Sequence, residues 1–240
     1  MMGHRLLMAA SNLGLTYVET VLQDKPVAFW QLNETSGTVA ADSSGNGYNG
    51  TYEGGFTLAA LANPSGIGGS GVKFNGSTGY VLTPLPTTAI ASVTLEAWIN
   101  FDGLSSASGP FLQLGAANEG GYGVGVGSSA AYTQAGTELM GLYSTKTWNP
   151  SGALIPTSGW HLCHMVITAT GTSIFYIDGE QVGTNSNSSV LAPSGNGYLA
   201  QAYGGGSGDN FFGGALSNVA IYNSILSAAR ILAHYNAGIS

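Results

Sequence analysis

Charge is what this sequence has least of. Lys and Arg number 5 and Asp and Glu 12, so only 7% of the 240 residues are charged, against roughly a quarter in an ordinary soluble domain. The cations, Arg5, Lys25, Lys73, Lys146 and Arg230, are scattered and the net charge is −7. Both facts exclude a phosphate-tracking surface and hence nucleic acid as the main ligand. Cysteine occurs once, at Cys163, so no internal disulfide forms. No apolar run approaches the ~20 residues of a membrane span. The segment from Leu6 to Ala10 is also shorter than the roughly 7–15 residues of a signal-peptide core. Neither membrane insertion nor a cleaved leader is expected. The sequence has no G-x-x-x-x-G-K-[ST] phosphate loop and no G-x-S-x-G hydrolase elbow.

Apolar and small residues take the place of charge. Hydrophobic residues make up 44% and glycine supplies 38 positions, a composition that fills a core and excludes disorder. From Tyr17 onward, runs of β-branched and aromatic residues with period-two placement alternate with Gly, Ser, Asn and Pro clusters, the pattern of an all-β sandwich or barrel. Strands are predicted at 27–32, 71–74, 80–83, 93–101, 111–114, 121–126, 138–143, 160–169, 172–177 and 216–222. Asp178-Gly179 suits the type I′ turn of a hairpin continuing to Val182. One short helix is expected, capped by Ser227 and running from Ala228 to Tyr235. Residues 1–16 stand apart as an apolar arm. Its Leu6, Leu7, Met8 and Leu13 would be a liability unless a partner protein covers them. Residues 17–240 read as one domain, with no internal repeat.

Few motifs carry chemistry. Gly121-Tyr122-Gly123-Val124-Gly125-Val126-Gly127 contains G-x-G, but alternates strictly and precedes no helix. It reads as a strand with one face bare, open to close approach by a backbone or ligand. Glycoside cleavage needs two carboxylates about 5–10 Å apart. The only close pair, Asp178 and Glu180, is explained by its turn, and Glu96 is the sole acid of its strand, so no enzyme activity is expected. In Trp160-His161-Leu162-Cys163-His164 the alternation puts His161 and Cys163 on one face and Leu162 and His164 on the other. Without other ligand clusters in the sequence, a buried structural thiol is the better reading there than zinc. The stretch from Asp42 to Glu53 places Asp42, Ser44, Asn46, Gly47 and Glu53 at calcium-loop spacing, but lacks the flanking helices of an EF-hand. An oxygen-rich loop holding one calcium and a plain Asx turn both remain open.

Several motifs then fall in order. They are Pro26-Val27-Ala28-Phe29-Trp30 with Asp42-Ser43-Ser44-Gly45-Asn46-Gly47, Val72-Lys73-Phe74-Asn75-Gly76, Val93-Thr94-Leu95-Glu96-Ala97-Trp98, Trp160-His161, Tyr176-Ile177-Asp178-Gly179, and Gly213-Gly214-Ala215-Leu216-Ser217-Asn218. This series resembles the laminin-G-like, concanavalin-A-like domains. The resemblance implies a two-sheet antiparallel jelly roll with its first and last strands adjacent, a short C-terminal helix and the N-terminal arm outside it. Family members often bind calcium between the early acidic loop and an Asp on the last strand. Here the corresponding residues are Asp42, Asn46 and Asn218, the last a neutral replacement.

The fold serves lectins, adhesins and structural modules alike. For glycan adhesion the candidate stacking residues are Tyr122, Tyr132, Trp148 and Tyr203. The lead-in from Tyr17 to Pro26 is similar to the approach to this domain in surface proteins of bacteria and tailed bacteriophages. A start at Met1 without a leader, followed by an apolar arm, fits a particle assembled without secretion. The expectation is a non-catalytic, multicopy display module on a virion surface or other extracellular assembly. Its partners would be capsid or tail proteins and host-surface glycans. The alternative is a carbohydrate-binding module or adhesin domain of a bacterial surface or polysaccharide-acting protein.

Overall fold

The period-two pattern becomes strand along most of the chain. The computed structural model describes residues 14–86, 92–101, 109–115, 121–127, 137–143, 148–186, 193–202 and 210–240. In chain order the first half contains α1 (Tyr17–Gln23), β1 (Ala28–Trp30), β2 (Val39–Ala40), β3 (Gly50–Glu53), β4 (Phe56–Ala62), β5 (Ser70–Asn75), β6 (Tyr80–Pro84), β7 (Val93–Asn100) and β8 (Pro110–Leu114). There follow β9 (Tyr122–Gly127), β10 (Glu138–Tyr143), β11 (Trp148–Leu154), β12 (His161–Ile167), β13 (Thr172–Ile177), β14 (Glu180–Ser186), β15 (Asn196–Leu199), β16 (Gly213–Tyr222) and α2 (Ala228–Ile239). Every predicted strand has its counterpart. The runs β2, β3, β4, β11 and β15 were not expected, being short, glycine-containing or poor in β-branched residues.

Two sheets form among the described residues. The first runs β14-β13-β12-β7-β16-β5-β4, with β1 also on β16, and the second runs β11-β10-β9-β8-β15-β6-β3-β2. All pairings are antiparallel. First and last strands are adjacent, with Phe29 opposite Ala220. The result is the jelly-roll sandwich that the motifs implied. Its core takes Val93, Leu95, Ala97 and Ile99 from β7 and Tyr122, Val124 and Val126 from β9. The alternate residues of β7, Thr94, Glu96 and Trp98, are equally buried but face the other way. A third layer therefore covers the first sheet.

That layer is made by α1 and α2. A second apolar cluster joins Tyr17 and Val21 of α1 and Ile231 of α2 to Trp98, Leu162, Val166 and Tyr222 of the sheet. Helix α1 is a departure from the strand-like reading of residues 17–26. Its Val and Thr residues favour strand locally, yet Thr16 and Glu19 form a capping box, with Glu19 Oε2 accepting the Thr16 N–H at 2.8 Å. Tyr17 and Val21 are fully buried on the sheet, each contributing about 1.5–3 kcal/mol. Tertiary burial overrides propensity here. Helix α2 begins where predicted, with Ser227 Oγ accepting the Arg230 N–H at 3.3 Å. It runs four residues beyond Tyr235 to Ile239, reaching back to Trp98 through stacking of Tyr235. No helix among the described residues is long and apolar enough to cross a membrane. Leu6, Leu7, Met8 and Leu13, the residues expected to anchor a partner, lie outside the described residues.

The β13–β14 hairpin turns as read from Asp-Gly, with φ of 53° at Asp178 and 84° at Gly179. Its carboxylate is consumed locally. Asp178 Oδ1 accepts the Leu162 N–H at 2.9 Å and Oδ2 lies 2.6 Å from His161 Nδ1. On β12, Cys163 belongs to the sandwich core while Leu162 and His164 face the helices. Burial pushes the Cys163 thiol up, the state of an inert core residue.

Candidate functional site

The outward face of the second sheet collects aromatic side chains. Because Tyr52, Val81 and Leu199 point into the core, their neighbours Thr51, Glu53, Tyr80, Leu82 and Tyr198 point out. Thr51 is opposite Leu82, which in turn is opposite Tyr198. The Tyr80 ring centroid is 6.4 Å from that of Tyr198 and 6.4 Å from that of Phe211. Tyr80 and Phe211 are half-buried, so each keeps an edge in water. Beside them a cleft of about 340 Å³ is lined by Asn49, Thr51, Leu82, Pro84 and Asn196. Apolar rings next to amides and a hydroxyl suit a ligand that presents both CH faces and hydroxyl groups.

Of the four aromatic residues expected to stack on sugars, Tyr132 and Tyr203 lie outside the described residues. Tyr122 is corrected: it is fully buried in the sandwich core, and burial pushes its hydroxyl up to about 12. Its alternation partners Val124 and Val126 share that face, a sign already present in the sequence. The bare face of β9 is turned outward instead and is covered by the chain itself. A methyl group at Gly123 would lie 2.9 Å from Trp148 Cη2, and one at Gly125 would lie 2.6 Å from Pro110 Cα. Trp148 does sit on the outward face, but only 8% exposed. Tyr80 and Phe211, which sequence reasoning passed over, are the more accessible rings. Tyr80 was legible, standing out of phase with Val81 in a predicted strand.

The Asp42 loop closes on itself. Asp42 Oδ1 accepts the N–H groups of Phe29 and Ser44 at 3.0 and 2.9 Å, and Oδ2 accepts Ser44 Oγ–H and the Tyr48 N–H at 2.8 and 2.9 Å. Burial would raise this carboxyl; the hydrogen bonds from Phe29, Ser44 and Tyr48 outweigh it and hold it below its ordinary value. Four donors fill the four lone-pair sites of a carboxylate, leaving none directed at a cation that wants 6–8 oxygens. Asn46 Nδ2 donates to the Val27 carbonyl at 2.9 Å, and Asn218 Nδ2 to Ser217 Oγ at 2.6 Å. As arranged, the central ligand of the expected calcium set does not fit the ion. The loop forms an Asx turn that pins β1.

Beneath the helices lies a polar cluster that sequence reasoning missed. Glu96 Oε1 accepts the Tyr17 hydroxyl at 2.6 Å, and Oε2 accepts that of Tyr222 at 2.9 Å. His234 Nδ1 is 2.9 Å from Oε2, and His164 Nε2, directly across the β7–β12 pair, is 3.2 Å from the same oxygen. On its far side His234 Nε2 lies 2.8 Å from Asp24 Oδ2, which Arg230 holds through Nε at 2.9 Å. Glu96, His164 and His234 are wholly buried. Burial alone would raise the Glu96 carboxyl. The nearby imidazoles of His234, then His164, hold it well below the usual carboxylate range. Burial pushes His164 down, while against burial the carboxylates of Glu96 and Asp24 raise His234. The signal was three polar residues on helix-facing positions, but only the docking of α1 and α2 unites them.

Residues 75–232 match a laminin G-type family model described as the concanavalin A-like lectin/glucanases superfamily. The chain belongs to this superfamily. Strands β1 to β4 and all of β5 but Asn75 lie before the matched span and complete the sandwich. None of the curated proteins matches the sequence. Among solved structures, the chain is similar to Trypanosoma rangeli sialidase in complex with sialic acid, at 18% identity and a TM-score of 0.61 over 87% of this chain and 32% of the sialidase. It is also similar to the binding domain of botulinum neurotoxin serotype C1, at 16% identity and 0.62 over 90% of this chain and 52% of that one. A third likeness is the binding domain of botulinum neurotoxin DC in complex with SialylT, at 16% identity and 0.63 over 89% and 51%. The chain thus spans about a third to a half of these proteins. At such identities the likeness is one of fold, a lectin-like fold that catalytic and non-catalytic proteins share.

Proposed function

We propose that the chain is a non-catalytic glycan-binding module, with the outward face of the second sheet as its binding surface. The observation that carries this reading is the Tyr80–Tyr198–Phe211 group beside the Asn49–Thr51–Asn196 cleft. Two of the similar solved structures, which contain this fold over about a third to a half of their length, are complexes with sialic acid and SialylT, which supports a glycan as the ligand class. The placement of carboxylates supports binding without cleavage. Among the described residues, the outward-facing acids of this sheet are Glu53 on β3 and Glu138 on β10, five strands apart. Five spacings of 4.8 Å separate them by about 24 Å, far beyond the 5–10 Å of a glycosidase pair. Glu138 is also held by the Gly152 N–H at 2.8 Å.

The finer reading is that the module is displayed on an extracellular assembly, a bacteriophage particle. It is supported by the apolar residues Leu6, Leu7, Met8 and Leu13, which capsid or tail proteins would cover. A glycan array with the full chain tests the first proposal, and binding to no sugar or cell surface would overturn it. Deleting residues 1–16 and measuring incorporation into particles tests the second. Undiminished incorporation would refute the anchoring role.

A further inference from the structure

We propose that Glu96, His164 and His234 form a site for one divalent first-row transition-metal ion of the zinc class, buried between the first sheet and the two helices. Among the described residues this is the group whose ligand atoms lie within 4.8 Å of one another. Two imidazoles and one carboxylate are a set that zinc takes in proteins, with a fourth position left over. The Tyr222 hydroxyl, 2.9 Å from Glu96 Oε2, is an oxygen within reach of that position.

A hydrogen-bonded cluster without a metal leaves two features unexplained. Glu96 Oε2 is approached by Tyr222, His234 and His164 at 2.9, 2.9 and 3.2 Å, although a carboxylate oxygen has two lone pairs. Oε1 takes Tyr17 alone among the described contacts. His164, moreover, is wholly buried with neither ring nitrogen in a hydrogen bond, despite the 3.2 Å separation from Oε2. A proton on His234 satisfies His234, between Glu96 and Asp24. It does nothing for His164, and a buried imidazole with two unmet nitrogens costs free energy.

His164 is placed as a ligand of a common ion would be, close to Oε2 without a hydrogen bond to it, while His234 Nδ1, hydrogen-bonded to Oε2 at 2.9 Å, would exchange that bond for the metal. Around a tetrahedral ion with bonds of 2.0–2.1 Å, neighbouring ligand atoms stand about 3.3 Å apart, close to the separations from Oε2. The outer contacts also fit. A metal-bound histidine usually donates its other N–H to a carboxylate, which fixes the ring. His234 Nε2 faces Asp24 Oδ2 at 2.8 Å, and Arg230 anchors Asp24. Since all three ligands are wholly buried, the ion enters as the chain folds, and its binding adds to the stability of the helix layer.

The test uses the full chain, without a polyhistidine tag, produced in zinc-supplemented medium and purified without chelator. Elemental analysis should find about one zinc per chain. Protein refolded from chelator should take up zinc, and cobalt(II) in its place should give the visible bands of a tetrahedral site. Asp24→Asn, which spares the ligands, should weaken zinc binding about 10–100-fold. His164→Gln, checked for folding by circular dichroism, should abolish the cobalt bands, whereas His161→Gln should leave them intact. Zinc absent from both purified and refolded protein would overturn the proposal. So would zinc uptake that His164→Gln and Asp24→Asn leave unchanged.

Discussion

Trp148 packs over Gly123 on the outward face of the second sheet, close enough that a methyl group at residue 123 would stand 2.9 Å from the indole Cη2. The neighbouring Gly125 meets backbone instead, with Pro110 Cα 2.6 Å and the Gly109 carbonyl oxygen 2.8 Å from the same added atom. Side chains give way more easily than backbone. Gly123→Ala should therefore cost about 1–3 kcal/mol through overpacking, and Gly125→Ala more. Urea unfolding of the two variants checks the order; a reversed order would mean that β8 and β9 are spaced more loosely than described.

Accessible rings should dominate ligand binding. Tyr80→Ala and Phe211→Ala are expected to weaken glycan affinity about tenfold each, from the loss of one aromatic face. Tyr122→Phe, which alters a core position, should leave affinity unchanged. Titration calorimetry against a sugar found on the array decides. Undiminished binding by both alanine variants would move the site off this sheet.

Asp42 is expected to matter for folding and not for calcium. Asp42→Ala strips four donors of their acceptor and should lower stability by about 2–3 kcal/mol. After dialysis against EGTA, millimolar calcium should leave the melting temperature of the native chain where it was. A rise of several degrees would show that a cation displaces the Phe29, Ser44 and Tyr48 donors.

The His161–Asp178 contact should make stability depend on pH. The hydrogen bond to Asp178 comes first among the causes that raise the His161 pKa, followed, against the effect of burial, by the charge of Asp178. A histidine raised in the folded state contributes stability that is fully present below its unfolded value of about 6.5 and is lost as pH rises through the folded value. The melting-temperature difference between native chain and His161→Gln should thus shrink as pH rises above about 6.5. A difference that stays flat or widens would refute the linkage.

Much of this architecture is legible in strands that have two clear faces. In β7, Val93, Leu95, Ala97 and Ile99 alternate with Thr94, Glu96 and Trp98, and both sets are buried. Asp178-Gly179 specifies its turn because both residues tolerate positive φ. Legibility fails where local preference and tertiary need diverge. Tyr17-Val18-Glu19-Thr20-Val21 carries β-branched residues, yet folds as a helix because Tyr17 and Val21 gain burial on the sheet. Only the Thr16–Glu19 capping box signals this locally.

Composition and period-two alternation by themselves determined that the chain builds β-sheets around an apolar core without a cystine, and the Ser227 cap added a helix at the C-terminal end. Alternation says which residues share a face, however, and not which face is covered. Tertiary structure decided that Tyr122 turns inward and Gly123 outward. It also decided that Tyr17, Glu96, His164, Tyr222 and His234 meet, although Tyr17 and Glu96 are 79 positions apart and Glu96 and His234 138. Such meetings depend on strand order and helix docking, which arise from burial summed over the whole chain and leave no local mark at the residues they join.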